Sequence, residues 1–204
     1  VIALDKGAVA MAIDALPNIP IVAIDTEDVG AHVTAVGIDN AKGAAMATQH
    51  LIDLGHKRIL HVTGPAGSVE AASRKAGYES AMRASNLQPL FAQGDWSAAT
   101  GYALGASMDV AAQTAVFTGN DHLALGVLKA LGERGVKVPE QLSVVGFDDL
   151  PEAPYFVPAL TTIRQDFNQL GEVAMGLLLD QLAGRVSETP TPVLPSLVLT
   201  GPRF

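Results

Sequence analysis

The stretch whose reading decides the fold is LSVVGFDD, residues 142–149. Leu142, Val144, Val145 and Phe147 put apolar side chains on both alternating faces of a short extended run. A strand apolar on both faces is buried on both, as in a parallel sheet covered by helices. Gly146 removes a side chain just before the run ends, so backbone or ligand can come close. Two carboxylates, Asp148 and Asp149, follow at once. Ligands of open α/β sheets sit beyond the carboxyl ends of the strands, which places Asp148 at a ligand position. The alternative is that both aspartates cap the next segment, residues 150–155.

Working outward, the apolar pattern switches repeatedly between such runs and helical periodicity. Strands are expected at 1–4, 21–24, 33–38, 58–62, 90–93 and 114–118. Helices are expected at 8–16, stopped by Pro17; at 41–54, with Asn40 as N-cap and Gly55 just past its end; and at 69–84. Two more are expected at 97–110, capped by Ser97, and at 120–134, ended by Gly135. The alternation predicts an α/β fold of parallel sheets with right-handed crossovers and helices on both faces. Residues 160–163 read as a further strand, followed directly by a helix at 166–182, with Arg164, Gln165, Asp166 and Asn168 at the junction. Two lobes joined by short crossing strands put a ligand cleft at such a junction. The Pro-rich stretch 187–195 reads as a surface connection.

The chain has 204 residues, enough for one large or two small α/β lobes, and 49% are hydrophobic. No apolar run reaches the length of a membrane span, and no basic, apolar, small-residue leader opens the chain. Cysteine is absent, so disulfides and thiolate metal sites are excluded. The net charge of −8 repels phosphate backbones, so DNA binding needs a basic segment beyond this chain. His32, His50, His56, His61 and His122 lack metal-ligand spacing and read as turn and surface residues. No metal or cofactor is expected. There is no GxSxG elbow, P-loop or GxGxxG after a strand, and no positioned nucleophile or base, so a sugar-modifying enzyme ranks last. The turn 64–67 is a weak anion-cradle signal, and Asp5 and Asp25 at strand ends read as structural.

Five segments carry a family resemblance: DNAKGAAMATQHLIDLGHKRILHVTGP (39–65), RKAGYESAM (74–82), GDWSAATGY (94–102), TAVFTGNDHLALGVLKALGERGVKVPEQLSVVGFDD (114–149) and PALTTIRQDFNQLGEVAMGLLLDQLAG (158–184). In this order and spacing they cover nearly the whole chain, which resembles the effector-binding core of lactose/galactose repressor (LacI/GalR) transcription regulators. The resemblance implies a periplasmic-binding-protein-like pair of lobes around a small-molecule cleft. It implies a near lobe of 1–54 with 165–192 and a far lobe of 55–164 with 193–204. A helix-turn-helix headpiece and the start of the first lobe, a strand–helix–strand unit of roughly 30 residues or more, are expected to precede this chain.

The resemblance also implies the effector contacts, namely Arg74, Trp96, Asn120, Asp148, Gln165 and Phe167. Ser68 and Lys42 complete the candidate set. Such planar polar groups bind sugar hydroxyls directionally. Structural alternatives stay open for each: a surface pair with Glu70 for Arg74, core cover for Trp96, an N-cap for Asn120 and core packing with some ligand contact for Phe167. Asp121 reads as a cap. Lys42 departs from the family's galactoside pattern, which has an acid near this position, and is available to pair with an anionic effector or Glu70. The tail SLVLTGPRF lacks the family's Arg–x–Ser ending. Tyr155, Phe156 and Val157 are expected at a dimer contact. The implied function is a cytoplasmic, ligand-controlled repressor core in which a sugar or sugar derivative sets the interlobe angle and so the operator affinity of a homodimer. The competing reading is a periplasmic sugar-binding protein feeding a transporter.

Overall fold

The computed structural model describes residues 11, 15, 19–25, 33–185 and 190–200. The expected strand at 1–4, most of the helix at 8–16, Asp5 and His32 lie outside the described residues. In chain order the elements are β1 (Val22–Ile24), β2 (Thr34–Val36), α1 (Asn40–Asp53), β3 (Ile59–Val62), α2 (Val69–Ala84), β4 (Leu90–Ala92) and α3 (Ala98–Ser107). Then come β5 (Ala115–Thr118), α4 (Asp121–Glu133), β6 (Ser143–Val145), a 3₁₀ turn (Ala153–Tyr155), β7 (Thr162–Arg164), α5 (Phe167–Leu182) and β8 (Ser196–Val198).

The chain divides into two compact units: Val1–Asp39 with Asp166–Leu194, and Asn40–Gln165 with Pro195–Phe204. The larger is built on four parallel strands in the order β4-β3-β5-β6. Ile59, Ala115, Phe117, Val145 and Phe147 point to one face, where they meet Leu51 of α1 and Tyr78 and Met82 of α2. Val62, Val116 and Val144 point to the other, where they meet Leu123, Val127 and Leu131 of α4. Each wholly buried side chain of this size contributes about 1.5–3 kcal/mol, so helices on both faces satisfy the doubly apolar strands. The helix pairs meet backbone to backbone at glycines. A Cβ on Gly77 of α2 would fall 2.0 Å from the Ala41 carbonyl of α1, and one on Gly126 of α4 the same distance from the Ala98 carbonyl of α3.

That contact corrects the expected boundary. Residues 40–53 were grouped with the near lobe, but Ala44, Ala47 and Leu51 of α1 bury themselves against α2 and the four-stranded sheet. Not every sheet is parallel either, since β7 and β8 pair antiparallel. The smaller unit pairs β1 and β2 in parallel. On α5, Leu170, Ala174 and Leu177, at helical spacing, pack on Val22, Val36, Ile38 and Val193.

His61 corrects the surface reading of the histidines. It lies in β3, is 0% exposed and stacks on Phe117 with centroids 4.6 Å apart. Its Nδ1 meets the Phe117 carbonyl at 3.0 Å, and its Nε2 has no hydrogen-bond partner among the described residues. Burial pushes its pKa down to about 4, against the pull of that carbonyl, with Arg74 and Lys75 lowering it further. Asp25, at the end of β1, accepts from the Ile38 amide at 2.9 Å, a structural role as read. Among the described residues no helix is long and apolar enough to cross a membrane, and no group of three acids or histidines is placed to hold a metal.

Candidate functional site

The strand order β4-β3-β5-β6 reverses direction between β3 and β5, because the chain leaves β3 to one side and returns on the other. A crevice opens beyond the carboxyl ends of strands at such a reversal. The turns that follow β3 and β5 bring Gly64 and Gly119 there, and the Gly119 amide donates to the Val62 carbonyl at 2.7 Å. Both glycines are needed to seat Trp96. A Cβ on Gly64 would lie 2.1 Å from the indole, and one on Gly119 2.9 Å from it. Trp96 holds φ at 71°, a left-handed backbone that costs a non-glycine residue energy and persists only under strong local constraint.

Arg74 enters from the second turn of α2 and is 6% exposed. Its Nε donates to Asn40 Oδ1 at 2.8 Å and its Nη1 to the Gly119 carbonyl at 2.5 Å. The guanidinium lies 3.9 Å from the Phe147 ring centroid and 5.3 Å from that of Trp96. Nη1 also reaches Asp148 Oδ1 at 3.4 Å. The surface pairing with Glu70 is therefore not made, and Ser68 donates its hydroxyl to Glu70 instead. Gln165 Nε2 donates to the same Asp148 Oδ1 at 2.7 Å. Burial raises the Asp148 pKa above the usual carboxylate range, while Arg74, Gln165 and His122 hold it down. Arg74 and Gln165 both take Oδ1, so Asp148 Oδ2 carries no hydrogen bond among the described residues, and the Asp148 side chain is 22% exposed.

Asn120 is the expected N-cap and also joins the cluster. Its Oδ1 caps α4 through the Leu123 amide, and its Nδ2 donates to the Trp96 carbonyl at 3.1 Å. Five of the eight candidate ligand residues, Arg74, Trp96, Asn120, Asp148 and Gln165, thus form one connected cluster. Ser68 is the N-cap of α2, accepting from Ala71, and Lys42 is exposed on α1. Phe167 corrects its core reading, for it opens α5 in the smaller unit with its side chain 57% exposed. The capping alternative for Asp148 and Asp149 fails, because the 3₁₀ turn that follows has no side-chain cap. Asp149 instead pairs with Arg164 at 2.5 Å. The residue that sequence reading missed is Asp121, wholly buried rather than a cap.

The cluster offers a partly exposed carboxylate oxygen, an amide, a guanidinium and an indole face. That set suits a small polar ring compound. A family model described as a periplasmic binding protein-like domain matches residues 48–200. The structure of a dimeric Lac repressor with an 11-residue C-terminal deletion superposes with a TM-score of 0.87 at 32% identity, over 96% of this chain and 73% of its own. The chain belongs to the lactose/galactose repressor (LacI/GalR) family. A regulatory protein of the LacI family from Chloroflexus aggregans superposes with a TM-score of 0.88 at 28% identity, over 94% of this chain and 70% of its own. The lactose operon repressor of Escherichia coli is 34% identical over 89% of this chain and 51% of that protein. The transcriptional repressor PurR of Escherichia fergusonii is 39% identical over 84% of this chain and 52% of that protein. The chain spans about half the length of these two LacI/GalR relatives.

Proposed function

We propose that this chain is the effector-binding core of a transcriptional repressor whose effector is a sugar or sugar derivative. Its curated relatives are named as repressors, not enzymes, and this chain is read with them as a non-enzyme. One relative, the Lac repressor dimer, has been solved bound to operator and to the anti-inducer ONPF. The observation that carries the reading is the open Oδ2 of Asp148, held between Arg74 and Gln165 at the strand ends beside Trp96. A carboxylate oxygen accepts from sugar hydroxyls, and an indole covers a C–H face. Binding to one of two states of the protein then sets operator affinity. Coupling of about 1–3 kcal/mol suffices, out of roughly 8 kcal/mol for a micromolar ligand. With a net charge of −8 this part does not itself hold DNA, so operator contact falls to a headpiece outside this chain, in a cytoplasmic homodimer.

Calorimetry with a panel of monosaccharides, their phosphates, purine bases and nucleosides tests the effector class. A sugar is expected to bind the wild type, and Asp148→Ala and Gln165→Ala are each expected to weaken it about 10-fold or more. Binding untouched by either substitution, or a base as the sole ligand, defeats the reading. The family model's periplasmic name supports a second reading as a transporter's sugar-binding protein. A signal peptide in place of a helix-turn-helix at the protein's N-terminus would decide for it.

Within the segment expected at the dimer contact, Tyr155 is 83% and Val157 89% exposed. Phe156 turns inward onto the core, so it is not an outward contact as expected. We assign the contact to Tyr155 and Val157. Tyr155→Glu/Val157→Glu is expected to convert the dimer to monomer by light scattering, and an unchanged mass removes the assignment.

A further inference from the structure

Asp121 is the one acidic side chain among the described residues that is buried, at 0% exposure. It is the first residue of α4, yet its carboxyl turns away from the helix. Oδ1 accepts from the Thr162 hydroxyl of β7 at 2.6 Å, and Oδ2 from the Leu150 amide at 2.9 Å. Gly146 makes room, since a Cβ there would fall 2.1 Å from Oδ1. The carboxyl therefore sits against the turn 146–150 and ties its far end to β7. The near end is tied by the Gly146 amide to the Thr161 carbonyl at 2.9 Å, and the middle by the Asp148 amide to the Ile163 carbonyl at 2.8 Å.

Between these ties lie Asp148 with φ at 124° and Asp149 with φ at 59°. Two successive non-glycine residues in positive-φ backbone are strained, and such strain survives only where the surroundings over-determine it. The turn that bears the strain also aims the Asp148 carboxylate. We infer that Asp121 is a positioning residue: its two hydrogen bonds hold the strained turn and thereby fix where Asp148 presents its open oxygen to the effector. The functional meaning of this inference rests on the effector site proposed above. The charged groups that act on Asp121 are Asp148 and Asp149 on the turn; Arg164 of β7 pairs with Asp149, and His122, next along α4, acts on Asp148.

The test is hydrogen exchange followed by mass spectrometry on the intact protein without effector. In Asp121→Ala the peptide spanning 146–150 is expected to exchange about 10–100-fold faster, as a buried acceptor for two donors is lost. Peptides from β3 and β5 are expected to keep their wild-type rates. Asp121→Asn keeps an acceptor for the Leu150 amide and offers its NH₂ to the Thr162 oxygen, so it is expected to stay within about threefold of wild type. Thr162→Val removes one of the two bonds together with the acceptor of the Asp149 amide at 3.4 Å, keeps the side-chain shape and is expected to quicken the same peptide about tenfold; where Asp121→Ala does not fold it is read at the Leu150 amide, whose own bond to Asp121 it leaves in place. An unchanged 146–150 peptide, or quickening shared equally by all peptides, overturns the inference. Because no effector is present, a sugar panel without a binder would defeat the proposed function and leave this result standing.

Discussion

Arg74→Met is expected to lower the stability of the protein by about 3 kcal/mol or more, and to abolish effector binding. Methionine matches the stem of the arginine and keeps its apolar packing, so the loss isolates the guanidinium. Arg74 is 6% exposed, and among the described residues its guanidinium serves Asn40 Oδ1, the Gly119 carbonyl and Asp148 Oδ1 at once. Removing it leaves a carboxylate on which burial is the largest influence without its cation. Breaking a buried pair from one side costs about 3–5 kcal/mol because the remaining charge is stranded. Exposed pairs behave differently. Arg83, whose side chain is 67% exposed, pairs with Glu79 on the same helix, and Arg83→Met is expected to change stability by less than about 0.5 kcal/mol. Denaturant unfolding of both variants decides the matter. A loss below about 1 kcal/mol for Arg74→Met would show that the pair is screened by water and that the guanidinium does not hold the cluster together.

Much of this architecture was legible in the sequence because its signals are local. Helix α2 occupies the expected residues 69–84, started by Ser68, and α5 starts after Asp166, whose side chain accepts from the Gln169 amide. Caps and period-3.6 faces depend on neighbours three or four residues away. The expected cluster of Arg74, Trp96, Asn120, Asp148 and Gln165 was legible for a different reason, since strand ends and a family pattern pointed to the same side chains. What escaped depends on partners far along the chain. Asp121 is an ordinary N-terminal acid until β7 places Thr162, 41 residues later, against it. The inward turn of Phe156 between outward Tyr155 and Val157 is set by how the 3₁₀ turn docks on the core around Leu160. The membership of α1 depends on Ala44, Ala47 and Leu51 packing on a sheet formed later in the chain, with the close approach to α2 allowed at Gly77. His61 was within reach, because it sits in the run ILHV of β3, and a strand buried on both faces leaves no surface for it.

His61 and Asp121 together are expected to flatten the acid limb of the stability curve, and separating them should expose it. Burial is the largest cause at both residues and acts in opposite directions on their proton affinities. His61 is pushed down to about 4 from an ordinary 6.5. The unfolded chain then binds its proton more readily, so the stability this residue contributes is whole above pH 6.5 and lost as pH falls toward 4, about 3 kcal/mol in all. Asp121 is raised to about 7 from 3.8, although the Thr162 and Leu150 bonds hold it down, with the charges of Asp148 and Asp149 adding to the rise. Here the folded state keeps the proton, so its contribution is whole below pH 3.8 and lost as pH rises through about 7, by about 4 kcal/mol. Between pH 4 and 6.5 one residue loses what the other retains, and the slopes offset. Asp121→Asn stays neutral at every pH. It is expected to gain on wild type by about 2–4 kcal/mol at pH 8 relative to pH 4, and to lose stability steeply between pH 6.5 and 4, where wild type stays level. His61→Phe removes the unpartnered ring nitrogen and should show the converse, an alkaline decline without the acid one. Denaturant unfolding at pH 4.5, 6 and 8 reads all three proteins, and parallel curves for wild type and Asp121→Asn would mean that the Asp121 carboxyl ionises in the fold as readily as in the unfolded chain.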